Sequence, residues 1–344
     1  MPLGPSFSAG DVHVALVLGG GNALGSYQAG VYAALHDRGV EPDWIVGTSA
    51  GAINGAVIAG NPRERRVDQL RELWRPGGAD WPTTSGETTR RTGAVLATLV
   101  GGRRGMFAPV GPLGSWWLPD AGAGAPGLYD TGQLTATLRD LIDFDRLNDG
   151  AMRFAALAVD IEDGSERLFD TRNEAVRADH IRASAALLPI FPPIEVDRRL
   201  YVDGGMSMNL PLDPVLSAPP DAPTLCIAVE LLSLAAPRPR TLGETTERVQ
   251  DLIYAVQSRR SVERWRDRYA YAPPGGADGP AAVTLAYVAY RDQHREVAGK
   301  AMDFSPESAA DRWRSGYRDA AAMLEGVEDG TIPLGRPGLS VHGL

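Results

Sequence analysis

Three short motifs in this chain carry residue types suited to acyl chemistry. In Gly47-Thr48-Ser49-Ala50-Gly51 a serine stands between glycines two positions away on either side. The apolar run Trp44–Val46 reads as a buried strand entering the motif, and the small-residue stretch Ala50–Ala59 as a helix leaving it. Strand, G-x-S-x-G, helix is the context of a nucleophile elbow, a turn so sharp that the serine sits strained at its tip. Gly47 and Gly51 suit positions with room only for hydrogens, and the helix N-terminus beneath Ser49 favours negative charge near its oxygen. A Gly/Ser turn without chemistry is the plain alternative for so short a pattern. The strand before it and the helix after it favour the elbow.

The second motif, Gly19-Gly20-Gly21-Asn22-Ala23-Leu24-Gly25, follows the short apolar strand Val14–Leu18. It precedes an amphipathic helix with Tyr27, Val31, Ala34 and Leu35 on one face. A glycine-rich loop between strand and helix turns several backbone N–H groups toward one point and can hold an anion without a charged side chain. One use is a dinucleotide phosphate with Glu41 as the ribose acid, but the spacing is G-x-G-x-x-x-G, not G-x-G-x-x-G. The other is an oxyanion hole for Ser49, one βα unit later. Crossover rules bring the two strands beside or near each other, so both motifs share the carboxyl edge of a parallel sheet, where open α/β folds bind ligands. The oxyanion hole is the preferred use.

A serine nucleophile needs a group to take its proton. Of the five histidines, His13 precedes the first strand, His36 is late in the first helix, His180 precedes a short helix and His342 is in the tail. Only His294, which follows a strand, stays open as a base. A carboxylate placed directly against the serine is the alternative. Asp203, in Asp203-Gly204-Gly205 after the strand Arg199–Val202, has glycines beside it that allow close backbone approach. Asp-Gly-Gly is ordinarily a tight turn, but in a chain with an elbow serine it becomes the candidate base. With an unperturbed pKa of ~3.9, a carboxylate serves if it lies in hydrogen-bond reach and partial desolvation raises its basicity.

The elements that must position these groups fit one large α/β domain over residues 1–344 with a decorating insert, and 344 residues are ample for a sizeable core. After a charged helix, Asn61–Leu73, the stretch Gly78–Gly127 turns rich in Gly, Pro, Thr and Trp. Its apolar run Ala94–Val100, Arg103-Arg104 and Trp116-Trp117 suit a lid or a membrane-interface patch, or equally a loop-rich cap on the core. Thr131 caps a helix holding Leu134, Leu138 and Leu141, and Phe154–Val159 pairs with Arg167–Phe169 as a hairpin. Asp160, Glu162 and Asp163 at its tip read as solvated acids, not a metal site. Ile181–Leu188 is a short helix, Leu225–Leu232 and Ala282–Tyr290 are strands, and Ser305-Pro306 opens a last helix. Glu244–Arg268 is a long helix expected to turn Val249, Leu252, Ile253 and Val256 inward, with Arg259, Arg260, Arg264, Arg266 and Arg268 on a solvated face or against anionic lipid.

Bulk features narrow the function classes. The net charge is −9 and no long basic run exists, which argues against a nucleic-acid partner. Cys226 is the one cysteine and lies in an apolar strand, so neither an intrachain disulfide nor a His/Cys zinc cluster is expected. Met1–Gly10 lacks the basic start and apolar core of a signal peptide, and no apolar run approaches the ~20 residues of a membrane span. A soluble, cytoplasmic protein is the expectation, with peripheral contact at the inner membrane face through the insert.

Taken together, Gly20-Gly21-Asn22-Ala23-Leu24-Gly25-Ser26-Tyr27-Gln28-Ala29-Gly30, Gly47-Thr48-Ser49-Ala50-Gly51 and Asp203-Gly204-Gly205 resemble the bacterial patatin-like phospholipases in order and spacing. Ala183-Ser184-Ala185, Phe191-Pro192-Pro193 and Asn209-Leu210-Pro211 add to the likeness, which covers roughly Val12–Val229. From Leu285 onward, Asp303-Phe304-Ser305 and Arg312-Trp313 resemble the C-terminal extension of one bacterial subgroup, here residues 281–344. The resemblance implies a three-layer α/β fold with a central, mostly parallel sheet, helices on both faces and a loop-rich insert. It implies Ser49 as nucleophile and Asp203 as base, with an acyl-enzyme intermediate and a lipid or other acyl ester as substrate. The oxyanion would rest on N–H groups of Gly20, Gly21, Asn22 and Ala50, with Gly47, Gly51, Gly204 and Gly205 in support. No metal and no cofactor is implied. Two departures stand out: Asn22 where the family has a third glycine, and Leu24 where many members carry Arg or Lys.

Other functions use the same residues differently. An acyltransferase would pass the acyl group to an alcohol or thiol. A nucleotide-binding oxidoreductase would use the glycine loop and leave the other two motifs without a role. A catalytically silent binding protein would follow if Asn22 spoils the loop. Chain length, head group and oligomeric state are not written in these motifs.

Overall fold

The computed structural model describes residues 12–75, 86–110, 127–271, 275–276 and 279–344. The chain begins β1 (His13–Leu18), a 3-10 turn over Asn22–Gly25, α1 (Ser26–Asp37), β2 (Trp44–Thr48) and α2 (Ala50–Ala59). There follow α3 (Arg63–Leu73), α4 (Glu87–Gly101), the short paired strands β3 (Ala108–Pro109) and β4 (Tyr129–Asp130), α5 (Gly132–Leu141) and α6 (Phe144–Leu147). The middle of the chain gives β5 (Arg153–Asp160), β6 (Glu166–Asp170), α7 (Ala178–Ser184), β7 (Ile194–Val196), β8 (Arg199–Asp203), α8 (Asp213–Ser217) and β9 (Thr224–Glu230). The last part is α9 (Leu242–Tyr271), the small hairpin β10 (Gly275–Gly276) and β11 (Gly279–Pro280), β12 (Ala282–Ala289), α10 (Pro306–Glu328) and β13 (Gly338–His342).

Nine strands form one sheet in the order β13-β12-β9-β1-β2-β5-β8-β7, with β6 beside β5. From β13 to β5 every neighbour is parallel, while β8, β7 and β6 join antiparallel. Continuous apolar runs such as Val14–Leu18 suit this position, because a parallel strand buried on both faces has no side for polar residues. Alternation divides them between two cores. Val14, Leu16 and Leu18 pack with α1, α2 and α10, whereas Ala15 and Val17 pack with α8 and α9. The result is the three-layer α/β architecture with helices on both faces. β1 and β2 are direct neighbours, with Leu18 opposite Gly47, so the glycine loop and the serine motif leave the sheet at the same edge.

The final strands are part of this sheet: β12 lies between β9 and β13. α10 crosses α1 with backbones in contact, because a Cβ on Gly30 would collide with the Trp313 carbonyl and one on Gly316 with the Tyr27 carbonyl. Tyr27 Oη also donates to Asp319 at 2.8 Å.

Several expectations need correction. Within 78–127, residues 87–101 form a four-turn helix instead of loop, and its start is held by ion pairs from Arg90 to Glu307 and from Arg91 to Glu296 and Asp311. Trp116 and Trp117 lie outside the described residues. The long helix α9 is rotated from its expected phase: Val249 and Ile253 are 52% and 54% exposed, while Asp251, Ala255, Ser258, Val262, Trp265 and Tyr269 face inward. Asp251 tolerates burial because Lys300 Nζ meets it at 2.8 Å. The short helix α7 starts at Ala178, earlier than its sequence pattern suggested. Among the described residues, no helix is long and apolar enough to cross a membrane.

Candidate active site

Ser49 occupies the turn between β2 and α2 at φ 57°, ψ −124°. Positive φ is uncommon for a residue with a Cβ and marks a backbone held against its preference. The neighbours that hold it are specific. The Ser49 N–H donates to the Ser184 carbonyl at 3.1 Å and lies 3.2 Å from Ser184 Oγ, while its carbonyl accepts from Ala52 N–H at 2.9 Å. A Cβ on Gly47 would fall 2.5 Å from the Ala52 nitrogen, and one on Gly51 would collide with the Leu18 carbonyl. Gly47 is therefore required where the turn folds back on the first residues of α2, and Gly51 where the elbow packs against β1. Ala50 opens α2, and its N–H has no acceptor among the described residues.

The glycine loop is pinned at both ends. Gly19 N–H donates to Val229 O at 3.1 Å, the Gln28 amide donates to Gly19 O at 2.7 Å, and the Asn54 amide donates to Gly25 O at 2.9 Å. Asn54 in turn accepts from the Trp74 indole at 2.8 Å. Gly21 and Asn22 keep N–H groups without acceptors among the described residues, on the wall of the cavity that also holds Ser49. Gly20 differs from the expectation. It lines the cavity, but its N–H is already donated to Asn209 O at 3.1 Å, so it is withdrawn from the set of free anion donors. Asn22 sits at φ 50°, the left-handed region that asparagine tolerates better than other side chains.

Asp203 ends β8 and is 2% exposed. Its N–H donates to Ala186 O at 3.0 Å, and its Oδ1 accepts from Gly205 N–H at 2.7 Å. Oδ2 is buried without a formed hydrogen bond among the described residues. Burial pushes the carboxyl up to about 7, against the opposing pull of the Gly205 N–H and of the Ser49 hydroxyl. That hydroxyl is thus near enough to favour the carboxylate, though it lacks the geometry of a formed bond to Oδ2. Gly204 is needed where the chain presses on β5, because a Cβ there would collide with Leu157 O; one on Gly205 would sit 3.0 Å from Asp203 Oδ1.

Ser49, Asp203, Gly21, Asn22 and Ala50 line one cavity of about 150 Å³. Its other walls are largely apolar, from Trp74, Phe107, Leu134, Ile190, Phe191 and Met302. Two α9 residues, Gln250 and Tyr254, close it on the side of Asp203. No histidine lines it, and His294 instead pairs with Asp292 on the surface. Glu41 is committed to Arg63 and Arg66 near the start of β2, at the opposite edge from the glycine loop, so it serves no ribose. Asp160 and Asp163 pair with Arg199, and no group of potential metal ligands occurs among the described residues.

Two positioning residues carried no role in the motif reading. Ser184 holds the Ser49 amide, and Asn209 bonds Gly20 twice, through its carbonyl and through its side-chain amide at 3.2 Å. Their signals were Ala-Ser-Ala and Asn-Leu-Pro, which mark positions but not contacts across 135 and 189 residues. A third group, buried Glu230 at the end of β9, accepts from Leu231 and Leu232 N–H and is raised to about 7 by burial.

A family model described as Patatin-like phospholipase matches residues 16–216, and one described as Patatin phospholipase matches residues 244–329. An uncharacterized NTE family protein of Mycobacterium tuberculosis is 30% identical over 218 residues, 63% of this chain and 49% of that protein. Patatin-like phospholipase domain-containing protein 7 of Rattus norvegicus is 27% identical over 202 residues, 58% of this chain and 12% of the relative. The chain thus spans about half the length of the mycobacterial relative. Among solved structures, VipD from Legionella pneumophila aligns with TM-score 0.44 at 15% identity, covering 92% of this chain and 67% of that one.

Proposed function

The chain belongs to the patatin-like phospholipase family, and from that premise we propose that it is a lipid acyl hydrolase working through Ser49 and Asp203. The observation that carries this reading is one cavity holding a strained serine, a buried carboxylate and three backbone N–H groups, with one carboxylate oxygen and all three N–H groups unbonded among the described residues. In the proposed cycle Ser49 Oγ attacks the ester carbonyl carbon while Asp203 takes the hydroxyl proton. Gly21, Asn22 and Ala50 N–H groups hold the oxyanion, each such donor being worth on the order of 10²–10³ in rate. Collapse breaks the ester C–O bond, and the leaving alcohol receives the proton from Asp203. Water then attacks the acyl-enzyme, giving a proton to Asp203, and collapse releases the acid as Ser49 Oγ regains that proton.

The apolar cavity wall suits a fatty acyl chain. For a substrate that resides in a bilayer, we assign the approach to the α9 side. Val249 and Ile253 are half exposed next to the cavity residues Gln250 and Tyr254, and Leu242 extends the same stripe. An apolar strip beside a lipid-binding cavity supports peripheral contact with a membrane surface.

Fluorophosphonate labelling, read by intact mass beside p-nitrophenyl ester turnover, tests the proposal. Wild type should label and turn over, Ser49→Ala should do neither, and Asp203→Asn should lose turnover by about 10²-fold or more. A folded wild type that neither labels nor hydrolyses esters of any chain length would favour a silent binding protein. Product analysis with added alcohol separates hydrolysis from acyl transfer.

A further inference from the structure

The loop Gly19–Gly25 contains no charged side chain, yet a cation reaches it from the far end of the chain. Arg312 on α10 is fully buried, and its guanidinium uses all five N–H donors. Nε and Nη2 meet Glu296 at 2.8 and 2.7 Å, and Nη2 also donates to Lys300 O at 3.1 Å. Nη1 donates to Asp303 O at 2.7 Å and to Ala23 O at 3.1 Å. That last acceptor is the carbonyl one residue beyond Asn22. Glu296 is itself fixed by Tyr290 Oη at 2.8 Å and Arg91 Nη1 at 3.3 Å, so the guanidinium sits in a braced frame. The same segment touches the loop again where the Asn22 amide lies 3.5 Å from Met302 Sδ.

We infer that Arg312 is a positioning residue for the anion-binding loop, clamping the Ala23 carbonyl so that the Gly21 and Asn22 N–H groups stay aimed into the Ser49 cavity. The inference rests on the acyl-hydrolase reading. Its physical basis is that oxyanion donors act by preorganisation, and a glycine loop left to itself has freely rotating peptide planes. A planar guanidinium bonded to three carbonyls and a carboxylate sets the direction of each of them, which an ammonium cannot do. Were the cluster only a structural ion network, its loss would lower stability and leave each folded molecule as active as before.

The test uses the full chain, a soluble p-nitrophenyl ester and a trifluoromethyl ketone of the same acyl length. Addition of Ser49 Oγ to the ketone, with its proton passing to Asp203, places an oxyanion in the loop and reports the donors directly. Arg312→Lys keeps a charge for Glu296 but loses the fork, and should lower kcat per folded molecule by about 10- to 100-fold. Ketone affinity should fall by the same factor, with KM changed less than about threefold. Glu296→Asp retains Arg312 while drawing its anchor back by one methylene, so it should shift kcat and ketone affinity together, by about fivefold, and it reads the same question if the lysine variant does not fold. Arg38→Ala removes the ion pairs to Glu325 and Glu328 on α10, the helix of Arg312, touches neither Ala23 nor Glu296, and should change only the melting temperature. Wild-type-like kcat and ketone affinity in Arg312→Lys and Glu296→Asp, measured per folded molecule, would overturn the inference alone. A wild type that neither turns over the ester nor binds the ketone would overturn the hydrolase reading, and this inference with it.

Discussion

Asn209 and Gly20 are bonded to each other twice: Gly20 N–H donates to the Asn209 carbonyl at 3.1 Å, and the Asn209 amide returns to the Gly20 carbonyl at 3.2 Å. This pair ties the loop after β1 to the loop after β8, linking the candidate donors to the segment that follows the candidate base. Asn209→Ala would strip the buried Gly20 carbonyl of its side-chain donor and should cost about 1–3 kcal/mol of stability. The Gly20–Gly21 segment should also loosen, lowering kcat by about tenfold with little change in KM. Chemical denaturation and steady-state kinetics check both. Unaltered kcat in a destabilised variant would show that the tie serves the fold alone.

With Asp203 as the proposed base, activity and stability should respond to pH in opposite directions. Its carboxyl is raised to about 7 by burial, while the unfolded chain titrates near 3.8. Only the carboxylate can take the Ser49 proton, so kcat/KM should climb about tenfold per pH unit below about 7 and level off above it. The neutral form stabilises the fold: its contribution is fully present below about pH 4 and is lost as pH rises through about 7. Glu230, also near 7 through burial, adds a parallel loss. Melting temperature against pH should therefore fall less steeply in Asp203→Asn than in wild type. A rate profile flat between about pH 5 and 8 would contradict the assignment of Asp203 as base.

Asn22 tests the loop's tolerance. At φ 50° it occupies a conformation that glycine adopts freely and a β-branched residue resists. Asn22→Gly should retain ester turnover within about threefold. Asn22→Val should lose about 1–2 kcal/mol and most of its activity. Equal behaviour of the two variants would mean that backbone conformation at residue 22 does not govern the site.

The exposed stripe on α9 separates binding to a lipid surface from chemistry. Val249→Asp with Ile253→Asp replaces half-exposed apolar side chains, so the melting temperature should barely move, within about 0.5 kcal/mol of stability. Hydrolysis of a soluble p-nitrophenyl ester should persist, while activity on phosphatidylglycerol vesicles and sedimentation with them should drop about tenfold or more. Loss of both activities in parallel would place the defect inside the cavity.

Much of the sheet edge that carries the candidate site is legible in local sequence. β1, β2 and α2 match the apolar runs around the glycines, because each motif is short and each glycine answers a nearby backbone: Leu18 beside Gly51, Leu157 beside Gly204. The features that local sequence does not show depend on distant partners. Periodicity placed Val249, Leu252 and Ile253 inward, but Asp251 takes that side because Lys300 neutralises it, and no pattern within the helix announces a lysine 49 residues away. α4 begins with polar residues, of which Arg91 is buried among Glu296 and Asp311 and Arg90 pairs with Glu307. Composition alone makes Gly20 a donor, because it cannot tell an open N–H from one already given to Asn209.

The strand order also sets a timetable. Ser49 and Asp203 are both translated before β9 exists, yet Gly19 N–H depends on the Val229 carbonyl for its anchor, and β12 must come later still to cover β9 from the other side. A nascent chain that has reached Asp203 but not Thr224 therefore holds both candidate side chains without the strand that anchors the glycine loop. The proposed chemistry thus waits on β9, 175 residues beyond Ser49 at its first residue, to pair with β1.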